Sequence, residues 1–232
     1  MPSEKAVVLL SGGLNAAVAT SLARADYLLA ALHVRFGHRA DQREAELFEK
    51  QADHFEIRER LVINMPHFTA IGVGARVSRK EQIEDALALE EGVSNCHTPG
   101  LIGSLIHAAF TWSRAIHATR IVLGISEDLG PPSRKTRVIY PDYSREFLQL
   151  CSLSFAAASP DRPVSIETPL IDMSRTEIIK LGHRLETPLE LTWSCLSSGT
   201  QACGACLGCA TRNRGFLDAA FPDPVYLQPV GR

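Results

Sequence analysis

The sequence predicts an α/β fold: a doubly wound parallel sheet of five strands carrying a C-terminal four-cysteine zinc knot. Three observations carry this expectation. A short apolar run, Val7-Val8-Leu9-Leu10, meets Ser11-Gly12-Gly13 and then a helical pattern, as a buried parallel strand does when it turns directly into a helix. Strand-like and helix-like segments alternate along most of the chain. Four of the six cysteines fall within 15 residues near the end: Cys195, Cys203, Cys206 and Cys209. The expected division is a nucleotide-binding α/β domain over 1–191, with a zinc-binding segment over 192–232 packed on it.

The elements follow in order. The first strand is expected over 6–10 and the first helix over 15–24, with Val18, Leu22 and Ala23 at helical spacing. A second strand covers 27–34, a helix with a charged outer face 40–55, and a third strand 57–63. Residues 64–98 lack a strong period apart from a helix expected near 80–91, and their length suits a functional loop or lid. A long apolar helix is expected over 99–118, with Pro99 in its first turn. A strand over 120–124 follows, then a polar stretch with Glu127, Asp128 and the basic set Arg134, Lys135 and Arg137. Tyr140-Pro141-Asp142-Tyr143 turns into a helix reaching about 158, and the fifth strand covers 164–167. Ser174 and Glu177 have capping-box spacing at the start of the next helix.

Composition narrows the function. The chain of 232 residues is 45% hydrophobic and 22% charged with net charge −2, so no basic excess points to nucleic acid. No apolar run is long enough to span a membrane, and the start lacks the regions of a signal peptide, so a cytoplasmic protein is expected. A symmetric homodimer is the default for a soluble oligomer.

The chemistry-bearing motifs are two. Adjacent glycines free the backbone after the first strand, and the open N–H groups of such a turn suit a phosphate. An ordinary tight turn is the competing explanation. In Cys195-x7-Cys203-x2-Cys206-x2-Cys209 two overlapping C-x-x-C units and Cys195 offer four thiolates to one ion. A structural zinc is the expectation, with an iron–sulfur cluster as the rival. Trp193 is expected in the core beside the knot, and Cys96 with His97 has no ligand partner at metal spacing.

Ser11-Gly12-Gly13, Tyr140-Pro141-Asp142 before Arg145-Glu146-Phe147, Glu167-Thr168-Pro169-Leu170 and the cysteine set together resemble the QueC family over about residues 5–217. These are 7-cyano-7-deazaguanine synthases among the PP-loop ATP pyrophosphatases, with an adenine nucleotide α-hydrolase-like fold. The resemblance implies ATP and Mg²⁺ as reactants, a deazaguanine as substrate, and one structural Zn²⁺ held by Cys195, Cys203, Cys206 and Cys209. ATP adenylates the carboxylate of 7-carboxy-7-deazaguanine, ammonia displaces AMP to give an amide, and a second ATP drives its conversion to the nitrile. It implies catalytic roles for Ser11, Asn15 and Arg175. It implies ATP binding by Leu10, Ser11, Gly12, Gly13, Leu14, Asn15 and Ala16 with His33 and Arg39, and substrate binding by Gly124, Glu127, Tyr140 and Asp142.

Four sites depart from the family pattern. The family turn reads Ser-Gly-Gly-x-Asp-Ser, where this chain has Asn15 and Ala16; Asn15 keeps the shape of aspartate and is expected to cap the helix. Gly-Gln-Arg-His is here Gly37-His38-Arg39-Ala40, Pro-Gly-Arg-Asn is Pro99-Gly100-Leu101-Ile102, and a lysine is replaced by Arg175. Three functions stay open at this point: the QueC reaction with an altered turn, a non-catalytic nucleotide- or deazaguanine-binding protein, and a related enzyme with another acceptor.

Overall fold

The computed structural model describes residues 4–89, 92–128 and 138–225; Arg134, Lys135 and Arg137 lie outside them. Five strands form one parallel sheet: β1 (Lys5–Leu9), β2 (Leu28–Arg35), β3 (Glu59–Asn64), β5 (Arg120–Val122) and β7 (Ser165–Glu167), in the order β3-β2-β1-β5-β7. Central β1 pairs Val8 with Ala31 on one side and with Val122 on the other. Strand β4 (Gly92–Val93) pairs separately with β6 (Val138–Ile139), a small parallel ladder the sequence pattern did not announce.

Alternation along β1 builds two cores. Ala6 and Val8, with Leu10 just beyond the strand, face one core with helices α1 (Leu14–Ala23), α6 (Arg175–Arg184) and α7 (Leu207–Ala219), through Val18, Ile178, Ile179 and Phe216. Val7 and Leu9 face the other, under α4 (Leu101–Ala115) and α5 (Arg145–Ala158), through Ile106, Ala109, Leu148 and Phe155. Helices on both faces make the doubly wound α/β sandwich expected from the alternation of elements. Helix α7 contributes Phe216 and Ala219 to the first core. Among the described residues no helix is long and apolar enough to cross a membrane.

The remaining helices are α2 (Asp41–His54) and short α3 (His67–Ile71). The helix expected near 80–91 does not form over 80–89. Its residues are drawn into tertiary bonds instead: Asn95 Nδ2 donates to the Gln82 carbonyl, Asn95 N to the Glu84 side chain at Oε2, and Ala86 N to the Ala205 carbonyl. Helix α4 starts after Gly100, which sits at φ +79°, so Pro99 lies outside the first turn. The capping box of α6 forms as expected: Ser174 Oγ accepts from Glu177 N and the Glu177 carboxylate accepts from Ser174 N. Asn15 does not cap α1; Gly13 is its N-cap and no side chain caps it.

Sheet order reverses direction between β1 and β5. In doubly wound folds the ligand crevice lies at that switch point, outside the carboxyl ends of the strands. The turn after β1 and the segment after β5 meet there.

Candidate active site

Gly12 adopts φ +78°, and a Cβ there would stand 2.6 Å from the Glu44 carbonyl oxygen, so only glycine fits. Gly13 N donates to Ser11 Oγ at 3.3 Å and ends the turn. With no side-chain cap, the first N–H groups of α1 lack intrahelical partners and mark the positive end of its dipole. Gly124, just past β5, abuts this turn: a Cβ would lie 2.5 Å from Ala16 N. From the far end of the chain, Trp193 N donates to the Gly12 carbonyl at 2.9 Å, and Gly13 forms a parallel bridge with Trp193.

These elements border a cleft of about 250 Å³. Leu10, Ser11, Gly13, Leu14, Asn15, Ala16, His33, Gly124, Tyr140 and Arg175 are in its wall. The opposite side is apolar, from Leu101, Ile102, Leu105 and Ile106 of α4 together with Val34 and Phe36. Arg175 Nη1 donates to Asn15 Oδ1, which fixes the amide beside the turn. Burial, reinforced by the charge of Arg212, lowers the Arg175 pKa to about 10, and its Nε has no hydrogen-bond partner among the described residues. His33 stacks on Phe48 with Nδ1 3.1 Å from the Leu10 carbonyl, and burial pulls its pKa down, so a neutral imidazole supports the turn from below.

Four expected site residues are not in the cleft wall. Gly12 shapes the turn from behind it. Arg39 is turned away: it donates to the carbonyls of Ala75 at 2.8 Å, Ser78 at 2.9 Å and Glu81 at 2.5 Å. Glu127 Oε1 accepts from Arg145 N at 2.7 Å at the start of α5. Asp142 is buried behind Tyr140, with Oδ1 3.0 Å from His97 Nε2. The His97 ring in turn stacks on Tyr140 at 5.5 Å.

Sequence reasoning missed a charged cluster in the same wall. Arg76 Nη2 donates to Glu44 Oε1 at 3.3 Å, and Glu44 Oε2 lies 3.0 Å from Nε2 of fully buried His38. Burial alone would raise the Glu44 pKa, but the charges of His38 and Arg76 outweigh it and hold the carboxyl below its usual range. Asp41 is held low against its own burial by hydrogen bonds from His38 and Arg35. The only sequence signal was Gly72-Val73-Gly74-Ala75-Arg76, where two glycines at positive φ precede the arginine.

The cysteines converge. The sulfurs of Cys195, Cys203, Cys206 and Cys209 all lie within 4.8 Å of one another, and Cys203 Sγ is 3.9 Å from Cys209 Sγ. Four sulfurs at about 2.3 Å from one ion stand roughly 3.8 Å apart in a tetrahedron. Backbone N–H groups of Cys203, Leu196 and Cys206 donate to the sulfurs of Cys195, Cys206 and Cys203 at 3.3 to 3.4 Å. Hydrogen bonds from the Cys206 and Cys209 thiols hold the Cys195 thiol well below its usual range. The same hydrogen bonding pushes the Cys206 thiol up, so the two share a proton between them, and the four sulfurs could hold a metal ion.

Fold and site together define a doubly wound α/β protein with a crevice at the switch point of its sheet. Residues 5–220 match the family described as queuosine biosynthesis protein QueC, and the chain belongs to that family. Curated relatives are of matching length. A 7-cyano-7-deazaguanine synthase of Chlorobium phaeobacteroides is 36% identical over 95% of this chain and 96% of its own. Those of Chlorobaculum parvum, over 95% of each chain, and Koribacter versatilis, over 97% of this chain and 94% of its own, are each 34% identical.

Proposed function

We propose that this chain binds ATP at the turn from Ser11 to Ala16 and uses it to activate the carboxylate of 7-carboxy-7-deazaguanine for attack by ammonia. Ammonia displaces AMP to give the amide, and a second ATP activates the amide oxygen, whose departure with AMP and loss of the amide protons give the nitrile, 7-cyano-7-deazaguanine. The observation that carries this is the uncapped N-terminus of α1 opening into the cleft beside Arg175. Open N–H groups and a guanidinium together stabilise charge that develops on a departing pyrophosphate. An amide at position 15 orients Arg175 without cancelling its charge, as a carboxylate there would. Ser11 Oγ, exposed at the turn, adds a hydroxyl to the phosphate cradle. Asp128 in the cleft wall offers hard oxygen donors for the Mg²⁺ that accompanies the nucleotide.

Four convergent sulfurs suit Zn²⁺, a soft-tolerant ion that takes four thiolates. Such a closed site leaves no position for water, so the zinc supplies folding energy. Thiols kept reduced for this purpose fit the cytoplasm.

A second function, nucleotide binding without turnover, is favoured by Ala16, which offers no hydroxyl to phosphate, and by the apolar pair Leu101 and Ile102. The test is release of AMP and pyrophosphate from Mg²⁺-ATP by zinc-loaded protein with 7-carboxy-7-deazaguanine and ammonium. The double variant Asn15→Asp, Ala16→Ser runs beside it. Acceptor-dependent release by the unmodified chain is expected. In the single variant Ala16→Ser, which keeps the Asn15 amide on Arg175, restoring a hydroxyl worth about 1.5–3 kcal/mol in the transition state alone would raise the rate by roughly 10- to 150-fold. Release by the double variant alone would establish the binding function, and silence from both would point to another acceptor.

A further inference from the structure

We propose that Arg76 receives the carboxylate of the acceptor, and that the cleft selects planar heteroaromatic acids over their neutral analogues. This rests on the function proposed above and deepens it by assigning the acceptor's charged end.

Arg76 reaches the cleft from the long segment after β3, and that segment is fixed in place. Arg39 N donates to the Arg76 carbonyl at 3.1 Å while its guanidinium holds the carbonyls of Ala75, Ser78 and Glu81. Arg39 is therefore a positioning residue. The Arg76 guanidinium lies against the Phe36 ring, its Cζ 5.1 Å from the centroid, and Phe36 stacks on His38 at 4.2 Å. Its face and one nitrogen are thus set. Among the described residues its only hydrogen bond is the one from Nη2 to Glu44, and Nε is buried without a partner. A guanidinium carries five donors in a planar fork that matches a carboxylate. Glu44 divides its charge between Arg76 and His38, which leaves Arg76 attractive to a further anion.

The surroundings define what carries that anion. The α4 wall of Leu101, Ile102, Leu105 and Ile106 offers an apolar face, and Tyr140 adds an aromatic ring to the lining. The two guanidiniums also work on one region. Burial drives up the pKa of the Tyr143 hydroxyl, and the charges of Arg76 and Arg175 both pull it back. Arg175 stands beside Asn15 at the phosphate turn, so Arg76 is left to the acceptor. A carboxylate on Arg76 then meets a phosphate at the N-terminus of α1 within one cleft.

The test is calorimetric binding to the zinc-loaded full chain of two acids, 7-carboxy-7-deazaguanine and indole-3-carboxylate, each against its carboxamide. A charged hydrogen-bond pair supports a preference for acid over amide of about 10-fold or more. In Arg76→Gln the preference is expected to collapse to within about 2-fold, while affinity for a non-hydrolysable ATP analogue stays within about 2-fold, on the same arithmetic. Arg76→Lys keeps the charge without the fork and is expected to lose most of the preference; it decides the matter if Arg76→Gln does not fold. Preference that survives in the variants, or no preference in the unmodified chain, overturns the assignment. Preference abolished by Arg76→Gln with no AMP release would leave Arg76 assigned and remove the proposed reaction. AMP release with preference intact in the variant would do the reverse.

Discussion

Replacing Glu44 by glutamine removes the carboxylate that faces both Arg76 and His38 without changing the side chain's size. The Glu44 and Arg76 side chains are only 11% and 19% exposed, and their closest oxygen and nitrogen are 3.3 Å apart. At an effective dielectric near 20, unit charges at that distance attract by about 5 kcal/mol. Part of that is offset by the cost of keeping the carboxylate out of water, and breaking a buried pair by removing one partner costs about 3–5 kcal/mol. Glu44→Gln is therefore expected to lose about 3 kcal/mol in urea unfolding near neutral pH, with an unchanged denaturant slope. The pH dependence follows. Glu44 has a folded pKa below its usual 4.5. Its contribution is complete above the unfolded value and is lost as pH falls through the folded one. The unmodified chain should lose stability on acidification below about pH 4.5, and Glu44→Gln should lose less over the same window. A variant within about 1 kcal/mol of the unmodified chain at neutral pH would refute the view that this carboxylate holds Arg76 in place.

Two further outcomes are expected. Gly124→Ala would put a methyl 2.5 Å from Ala16 N, so the strand end and the turn after β1 must part; about 1–3 kcal/mol of stability should go, and with it most affinity for an ATP analogue if the proposed function holds, measured by unfolding and by binding of that analogue. Cys203→Ser, or chelation of the unmodified chain, should remove the metal measured by elemental analysis; a loss of roughly 4 kcal/mol would lower the melting temperature by about 8–16 °C. A variant that keeps one zinc per chain would show that three thiolates suffice.

What could be read from the residues was what is local in sequence. Ser11-Gly12-Gly13 follows its strand directly, and the cysteines announce themselves by spacing, since a C-x-x-C unit must bring its sulfurs together. The five parallel strands were legible because each is a short apolar run between helical patterns. The Glu44–Arg76–His38 cluster was not, because Arg76 comes from a loop 32 residues beyond Glu44 and meets it only through tertiary structure. Arg39 was expected at the nucleotide, but three carbonyls of the neighbouring loop capture its guanidinium. Asn15 was expected to cap α1, but Arg175 takes its side-chain oxygen. Charge and helix propensity pointed to a helix over 80–91. Asn95 and Ala205 bind that backbone instead, and no local pattern could show it.

The bond from Trp193 to the Gly12 carbonyl joins the first loop to the stretch that leads into the last helix, from Gly12 to Trp193 along a chain of 232 residues. During synthesis the N-terminal strands emerge early, yet the turn they frame gains this strut only when the cysteine segment has left the ribosome. A truncated nascent chain would therefore own the glycines without the shape they adopt. The turn after β1 gains its last support late, when the stretch around Trp193 closes back on it.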